Sequence, residues 1–409
     1  MKIKNLIGRE ILDSRGNPTV EVELTTDNDI TVIASVPSGA STGSREALEL
    51  RDKDENRYKG LGVTKAVNNI NNIIKNNIVG LELDQEKIDK TLIMLDNTDN
   101  KSYLGANATL GVSLACLKAL AKENKKELFE YVSDSEVSMP IPMMNIVNGG
   151  KHADSGLEIQ EFMIVPVVKT FKERLRAGSE VFHTLKSILK EMGENTSVGD
   201  EGGFAPHLKT NEEALDVIVK SIKEAGYTPG KDVFIALDCA ASEFYNKETD
   251  KYTVNKKEMD TKELTDYYLK LIDTYPIISI EDPFFEDDFE SLADFTKLVG
   301  NKIMIVGDDY FVTNKKYLDL GVKNGAGNAI LLKANQIGTV TEMLETITLA
   351  KKSEYKTIIS HRSGETEDTF IADLAVGLNL GFIKTGSLSR GERIAKYNRL
   401  LRIEEKLTK

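Results

Sequence analysis

At 409 residues the chain is longer than one ordinary domain and suits an ordinary domain followed by a barrel-sized one. Its composition, with 40% hydrophobic and 29% charged residues, is that of a globular protein with a large core. The sequence contains no run of 18 apolar residues, so no membrane span is predicted. A formal net charge of −12 argues against nucleic-acid binding, so local positive charge has to attract any anionic ligand.

Two features of the sequence predict a cytoplasmic location. The first ten residues lack the apolar core and the small-residue cleavage site of a secretory signal. The two cysteines, Cys116 and Cys239, lie far apart and form no CxxC motif. That usage suits a reducing compartment better than a disulfide-stabilised protein.

The N-terminal part begins with the alternation of an antiparallel sheet. Val20, Val22 and Leu24 share one face of a predicted strand that follows the Asn-Pro turn signal at residues 17–18. A second strand leads into the loop "PSGASTGSRE", whose small residues predict mobility.

Helical segments follow this sheet. The small residues of "ATLGVSLACLKALAKEN" predict a helix that packs closely against a neighbour. The polar stretch "YVSDSEVSMPIP" indicates a domain boundary, which we place between residues 133 and 134.

Beyond this boundary, apolar runs of strand length alternate with helical segments, which predicts a parallel sheet. The runs are "FIALD", "IISIE", "IMIVGD", "AILLK", "TIISH" and "LGFIK", with "EIQEFMIV" and "TSVGDE" as two earlier candidates. Eight strands are enough to close a βα barrel. An open doubly wound sheet is the competing architecture.

The six runs all end on an ionisable residue. These residues are Asp238, Glu281, Asp308, Lys333, His361 and Lys384. In a βα barrel the C-terminal ends of the strands meet on one face, where active sites are built. Any one of them could be a solvated strand end, but six in succession predict a single site, because chance polar ends would include Ser, Thr, Asn or Gln.

Three carboxylates aimed into one cleft need a cation between them if all are to stay ionised. Oxygen ligands without cysteine or paired histidines favour a hard divalent ion, with magnesium ahead of calcium or zinc. We therefore expect Asp238, Glu281 and Asp308 to bind Mg²⁺. The alternative is that each carboxylate pairs with a nearby lysine or arginine.

Lys333, His361, Arg362 and Lys384 predict a basic wall opposite the carboxylates, which suits a small polyanion such as a phosphorylated carboxylic acid. Two unit charges 4 Å apart interact by about 4 kcal/mol at an effective dielectric constant near 20. Repulsion of that size lowers a pKa by about three units. Beside a divalent cation the pKa of Lys333 would fall from ~10.4 to near neutrality, so we predict that Lys333 is a base.

Other stretches add candidates. Glu201 precedes a Gly pair and could face the cleft from a tight turn, or be a solvated turn acid. His152 and Glu161 lie in "NGGKHADSGLEIQEFM", where a lone histidine is more often a hydrogen-bonded structural residue. The Arg362 fork, next to Ser363, suits phosphate.

The sequence resembles the enolase family. The resemblance is carried by the motifs "LDSRGNPTVEVE", "PSGASTGSREALELRD", "GGKHAD", "QEFMI", "VGDEGGFAP", "LDCAASEFY", "SIEDP", "VGDDYFVTN", "KANQIGT", "SHRSGETED" and "KTGSLSR", in this order along nearly the whole chain. Each motif alone is modest evidence, but the ordered set is highly specific. "SHRSGETED" and "PSGASTG" resemble enolase proper more than other members of the wider superfamily.

The resemblance implies the reversible dehydration of 2-phospho-D-glycerate to phosphoenolpyruvate, a glycolytic step. It makes Lys333 the base and Glu201 the acid, with Glu161 and His361 as further catalytic residues. It assigns the first Mg²⁺ to Asp238, Glu281 and Asp308, and a second to a site that includes Ser41. The residues expected to contact or position substrate are Ser41, His152, Gln160, Glu161, His361, Arg362, Ser363 and Lys384.

The fold implied is α/β, with a small α+β N-terminal domain (residues 1–133) and an irregular eight-stranded βα barrel (residues 134–409) that opens with an antiparallel strand. The family is usually dimeric and sometimes octameric. A secondary cell-surface or secreted pool stays open. Departures from the family pattern are Leu61, Ser155-Gly156, Phe289, a short loop near Ser133 and the short C-terminus.

Two other classes of function compete with this catalysis. One is a binding or structural protein that uses the enolase scaffold, for which loss of the ionisable strand ends would be the sign; all six are present. The other is a different acid or sugar dehydratase of the superfamily.

Overall fold

The computed structural model describes residues 1–39, 43–133, 136–153 and 155–409. Its strands are β1 (Ile3–Leu12), β2 (Pro18–Thr26), β3 (Thr31–Ser35), β4 (Ile141–Asn148), β5 (Glu161–Pro166), β6 (Val233–Asp238), β7 (Tyr245–Asn246), β8 (Lys251–Val254), β9 (Lys257–Met259), β10 (Ile277–Glu281), β11 (Met304–Gly307), β12 (Ala329–Leu332), β13 (Lys356–Ser360) and β14 (Phe382–Lys384).

The α-helices are α1 (Thr64–Asn68), α2 (Lys75–Ile78), α3 (Gln85–Asp96), α4 (Ala106–Glu123), α5 (Leu128–Tyr131), α6 (Phe171–Glu191), α7 (Asn211–Glu224), α8 (Thr261–Thr274), α9 (Phe289–Val299), α10 (Lys315–Asn324), α11 (Ala334–Ile337), α12 (Val340–Lys352), α13 (Phe370–Gly377) and α14 (Gly391–Leu407). A π-helical segment, Asn69–Ile74, joins α1 to α2. None of the described helices is long and apolar enough to cross a membrane.

The N-terminal domain is an antiparallel sheet in the order β1-β2-β3, covered on one face by α4. Val20, Val22 and Leu24 are completely buried, so the predicted inward face of β2 is confirmed. The small-residue helix also packs as predicted. A Cβ atom on Gly111 of α4 would lie only 2.7 Å from Val22 Cγ2, which shows how closely the helix approaches the sheet.

The second domain is a closed eight-stranded barrel in the order β10-β11-β12-β13-β14-β4-β5-β6. The expected barrel is confirmed, and the open doubly wound sheet is excluded. Neighbouring strands are parallel except that β5 runs antiparallel to both β4 and β6. The chain passes from β4 to β5 without an α-helix, and only a helical or other long crossover would return it in the parallel direction.

The six apolar runs with ionisable ends form or border barrel strands, and "EIQEFMIV" covers all of β5 except Pro166. The prediction for "TSVGDE" is wrong, since residues 196–201 make only an isolated bridge between Val198 and Phe204. The missing strand is β4, which begins inside the stretch interpreted as a boundary. Its proline, Pro142, pairs with Ile383 of β14 and obscures the strand pattern.

The barrel interior explains why the strand ends converge. Its filling is an apolar cluster made of Met143, Met163, Val165, Ala236, Val306, Ala329, Leu331 and Ile358, all completely buried. Side chains two residues apart lie on the same face of a strand. Asp238, Asp308 and Lys333 each follow a member of this cluster by two residues, and therefore lie on the inward side above it.

We expect Gly111→Ala to lower the free energy of unfolding of the N-terminal domain by about 1–3 kcal/mol, because the new methyl group overpacks against Val22. Chemical denaturation followed by circular dichroism measures this change. The matched control is Gly391→Ala at the start of α14, where no heavy atom lies within 4 Å of the added Cβ and the change should stay within about 0.5 kcal/mol. Unchanged stability of Gly111→Ala would contradict the close packing of α4.

Candidate active site

A polar pocket lies at the strand-end face of the barrel. Its lining residues are His152, Gln160, Glu161, Glu201, Asp238, Ala240, Glu243, Asp282, Asp308, Asp309, Lys333, Ser360, His361, Arg362, Ser363 and Lys384. Of the predicted site residues, Glu281 lies beside this lining, at 3.0 Å from Lys384 Nζ. Ser41 lies outside the described residues.

Lys384 supplies the positive charge at the centre of the carboxylates. Its Nζ donates to Asp238 Oδ2 at 2.8 Å and to both Glu281 oxygens at 3.0 Å, and lies 3.4 Å from Glu161 Oε2. Burial lowers the pKa of Lys384, but the surrounding acids outweigh burial and hold the pKa well above its usual value. Asp238 and Glu281 therefore have the lysine pairing that the sequence left open as an alternative.

Lys333 is paired in the same way with Asp308, to which its Nζ donates a hydrogen bond. Burial lowers the pKa of Lys333, yet the Asp308 carboxylate raises it above the usual value overall. The predicted fall of this pKa depends on a neighbouring divalent cation and stays a prediction. Asp308 also accepts a hydrogen bond from Gln336 Nε2 at 2.8 Å, which fixes its orientation.

Glu161 and Glu201 form a second acidic pair around His152. His152 Nδ1 lies 3.5 Å from Glu161 Oε1 and 3.6 Å from Glu201 Oε2, and all three side chains are at most 5% exposed. Burial and the charge of Glu201 raise the pKa of Glu161 well above its usual value. Burial also acts to raise the pKa of Glu201, but His152, His361 and Arg393 lower it well below the usual range. Two buried carboxylates this close oppose each other's ionisation, which is why the two pKa values move in opposite directions.

The turn that carries Glu201 requires a glycine, as its sequence suggested. Gly202 has φ +86°, and a Cβ there would lie 2.6 Å from the backbone oxygen of Ser389. Asn145 Nδ2 donates to Glu201 Oε2 at 3.1 Å and Ser363 Oγ donates to Glu201 Oε1 at 3.3 Å. Glu201 is 2% exposed, so it is not a solvated turn acid.

His361 and Arg362 follow β13 but differ in charge. Burial lowers the pKa of His361 to about 4, so the ring is neutral near pH 7 and contributes no positive charge to the predicted basic wall. Arg362 is 3% exposed and donates through Nη1 to Glu46 Oε2 at 2.8 Å. Glu46 belongs to the N-terminal domain, which therefore reaches the pocket through this ion pair.

The donor chemistry of the site fits a hard divalent cation. Two groups of side chains have ligand atoms within 4.8 Å of one another, namely His152-Glu161-Glu201 and Asp282-Asp308-Asp309. Burial and the neighbouring carboxylates raise the pKa values of Asp282 and Asp309 well above the usual range, which marks an excess of buried negative charge. The predicted trio Asp238-Glu281-Asp308 is not such a group among the described residues. Its first two members both accept hydrogen bonds from Lys384.

Sequence reasoning missed several polar side chains of this site. Asp282 and Asp309 each follow a predicted ligand directly, so the doublets in "SIEDP" and "VGDDY" were a visible signal. Asn145 and Arg393 had no such signal, because β4 was not recognised and Arg393 lies in a helix distant in sequence from the strand ends it contacts.

Comparison with protein-family models agrees with this architecture. Residues 3–132 match the model described as "Enolase, N-terminal domain". Residues 136–409 match the model described as "Enolase, C-terminal TIM barrel domain". Together the two matches cover almost the whole chain and both domains of the structure. The chain belongs to the enolase family of lyases.

Proposed function

We propose that this chain catalyses the reversible, Mg²⁺-dependent dehydration of 2-phospho-D-glycerate to phosphoenolpyruvate, as a phosphopyruvate hydratase. One observation carries the proposal: Lys333 and the acids Glu161 and Glu201 line a single buried pocket. Lys333 follows β12 and Glu161 begins β5, four strands away in either direction around the barrel. A proton acceptor and a proton donor can therefore act on opposite sides of one small molecule.

Lys333 is proposed to remove the proton on the carbon beside the substrate carboxylate. It must be uncharged to do so, whereas the Asp308 carboxylate by itself raises its pKa and favours its charged form. Asp238, Glu281 and Asp308 are the residues that would hold Mg²⁺, which when bound supplies positive charge against the negative charge developing on the carboxylate. We propose Ser41 as a contributor to a second Mg²⁺.

Glu201 is proposed to assist the departure of hydroxide as the acid. The pKa of its partner Glu161 is raised while that of Glu201 is lowered, so the pair can keep one proton available inside the pocket. His152 lies close to both carboxylates and is proposed to influence which of them holds the proton.

The remaining polar groups are proposed to bind the anionic substrate. The guanidinium fork of Arg362 matches a phosphate group, and Ser363 adds a hydroxyl next to it. Gln160, His152 and Lys384 line the same pocket and would orient the carboxylate and hydroxyl ends. His361 would act as a neutral hydrogen-bond donor.

We keep three further expectations as proposals: a glycolytic role in the cytoplasm, assembly as a homodimer or octamer, and a domain boundary between residues 133 and 134. Residues 134–135 lie outside the described residues. A role at the cell surface can coexist with catalysis.

The decisive measurement is formation of phosphoenolpyruvate from 2-phospho-D-glycerate, followed by its ultraviolet absorbance. We expect turnover with Mg²⁺ and loss of turnover after chelation, with recovery when Mg²⁺ is restored. No turnover with 2-phospho-D-glycerate in the presence of Mg²⁺ would overturn the proposed function and favour another dehydratase of the superfamily.

Lys333→Ala should lose both turnover and the exchange of the substrate C2 proton with solvent, because no other base is proposed at that carbon. Nuclear magnetic resonance of the substrate in D₂O measures the exchange. The matched control is Lys101→Ala, which removes a buried lysine whose Nζ lies 2.9 Å from Glu342 Oε2. Lys101 does not line the pocket, so this variant should retain exchange. Exchange at the wild-type rate in Lys333→Ala would remove Lys333 from the role of base.

The lowered pKa of His361 makes stability depend on pH. In the unfolded chain the pKa of histidine is about 6.5, whereas the folded value is about 4, so between these pH values only the unfolded state binds the proton. Acidification from pH 6.5 to 4 should therefore cost the wild type roughly 3 kcal/mol more than His361→Gln. Chemical denaturation across this range tests the difference, and His183→Gln, at an exposed position of α6, should behave like the wild type.

A further inference from the structure

Arg393 of α14 is completely buried, and its guanidinium connects two loops of the pocket. Nη1 donates to His361 Nδ1 and to the backbone oxygen of Arg362, both at 2.6 Å. Nη2 donates to the backbone oxygens of Ser363 at 2.6 Å and Asp200 at 3.0 Å. Its Nε lies 3.4 Å from Glu392 Oε1. Arg393 does not line the pocket itself.

The contact with His361 determines where the ring carries its proton. An arginine side chain has only donors, so His361 Nδ1 must accept this hydrogen bond and cannot itself hold a proton. A neutral imidazole with an unprotonated Nδ1 carries its proton on Nε2. The adjacent guanidinium also opposes a positive charge on the ring, in agreement with the lowered pKa of His361.

The proton on Nε2 is directed toward the reacting groups. His361 Nε2 lies 3.5 Å from Glu201 Oε2 and has no hydrogen-bond partner among the described residues. It is therefore a free donor at the pocket, available to Glu201 or to an oxygen of a bound substrate. Since Nε2 already carries a proton, a second proton on the ring would have to bind to Nδ1. That would break the hydrogen bond between Nδ1 and Arg393.

The contacts with backbone oxygens fix the relative position of two loops. Asp200 directly precedes the acid Glu201, while Arg362 and Ser363 belong to the loop after β13. One planar guanidinium that bonds to both loops holds them at a set separation. A lysine at this position would offer a single ammonium and could not reproduce the fork.

We propose that Arg393 is a positioning residue of this active site: it holds His361 as the neutral Nε2–H tautomer and locks the Glu201 turn to the loop that carries Arg362 and Ser363. The catalytic consequence rests on the proposed function. The tautomer does not, since it can be measured on the protein without metal or substrate.

The first test is nuclear magnetic resonance of ¹⁵N-histidine-labelled protein near pH 7. The chain has four histidines, and His361→Gln identifies the signals of His361. We expect an unprotonated Nδ1 and a protonated Nε2 in the wild type. Arg393→Met should give a mixture of tautomers, whereas Arg399→Met, which removes an arginine of the same helix that binds Asp373, should leave the His361 signals unchanged.

A wild-type spectrum with a protonated Nδ1, or with a charged ring, would overturn the inference, and so would an unchanged tautomer in Arg393→Met. If Arg393→Met does not fold, Arg393→Gln replaces it with the same expected mixture of tautomers, because its amide can accept as well as donate and no longer enforces one tautomer. The wild-type spectrum decides the tautomer in every case.

The second test is kinetic. Arg393→Lys should lower kcat roughly 10- to 100-fold, with a smaller change in KM, because the residue acts through groups that contact the substrate. Arg399→Lys is the control and should retain wild-type kinetics. Wild-type kcat in Arg393→Lys would overturn the positioning role. If the wild type itself does not turn over 2-phospho-D-glycerate, the proposed function fails, and the spectra still decide whether Arg393 sets the tautomer.

Discussion

The site depends on a balance of buried charges around Lys384. Its ammonium is 2% exposed and lies within 3.4 Å of three carboxylates, those of Glu161, Asp238 and Glu281. A buried ammonium without partners, or three buried acids without a cation, would be strongly unfavourable. The ammonium and the three carboxylates therefore offset each other's cost of burial. Because there are more carboxylates than ammonium groups, a divalent cation can compete with the lysine for them.

The barrel holds these charges in place. The apolar cluster inside the barrel fixes the strands, and the two-residue period of a strand then determines which side chains lie above the cluster. The antiparallel strand β5 extends this set. Because its direction is reversed, its first residue, Glu161, pairs with Asp238, the last residue of β6, and both lie at the same end of the barrel.

The N-terminal domain completes the environment of the pocket. Ser38 and Gly364 exchange backbone hydrogen bonds of 2.7 and 2.9 Å, which joins the two domains next to Ser363. Glu46 pairs with Arg362, and Arg45 lies over the ring of Phe289 at 5.6 Å. Phe289 thus takes part in a cation–π contact, although it departs from the family pattern noted in the sequence.

The sequence by itself determined the alternation of apolar strands with helices, the ionisable strand ends and the Gly-supported turn of Glu201, because alternation, apolar runs and glycine pairs are local patterns. It did not determine β4, whose proline hides the strand, nor the reversed direction of β5, which follows from the missing helix between them. Only the tertiary structure decided the pairing of Lys384 and Lys333 with acids and the contacts of Arg393 with two loops of the pocket. Those contacts join residues far apart in the chain, and the charge of a buried group depends on neighbours that no local pattern specifies.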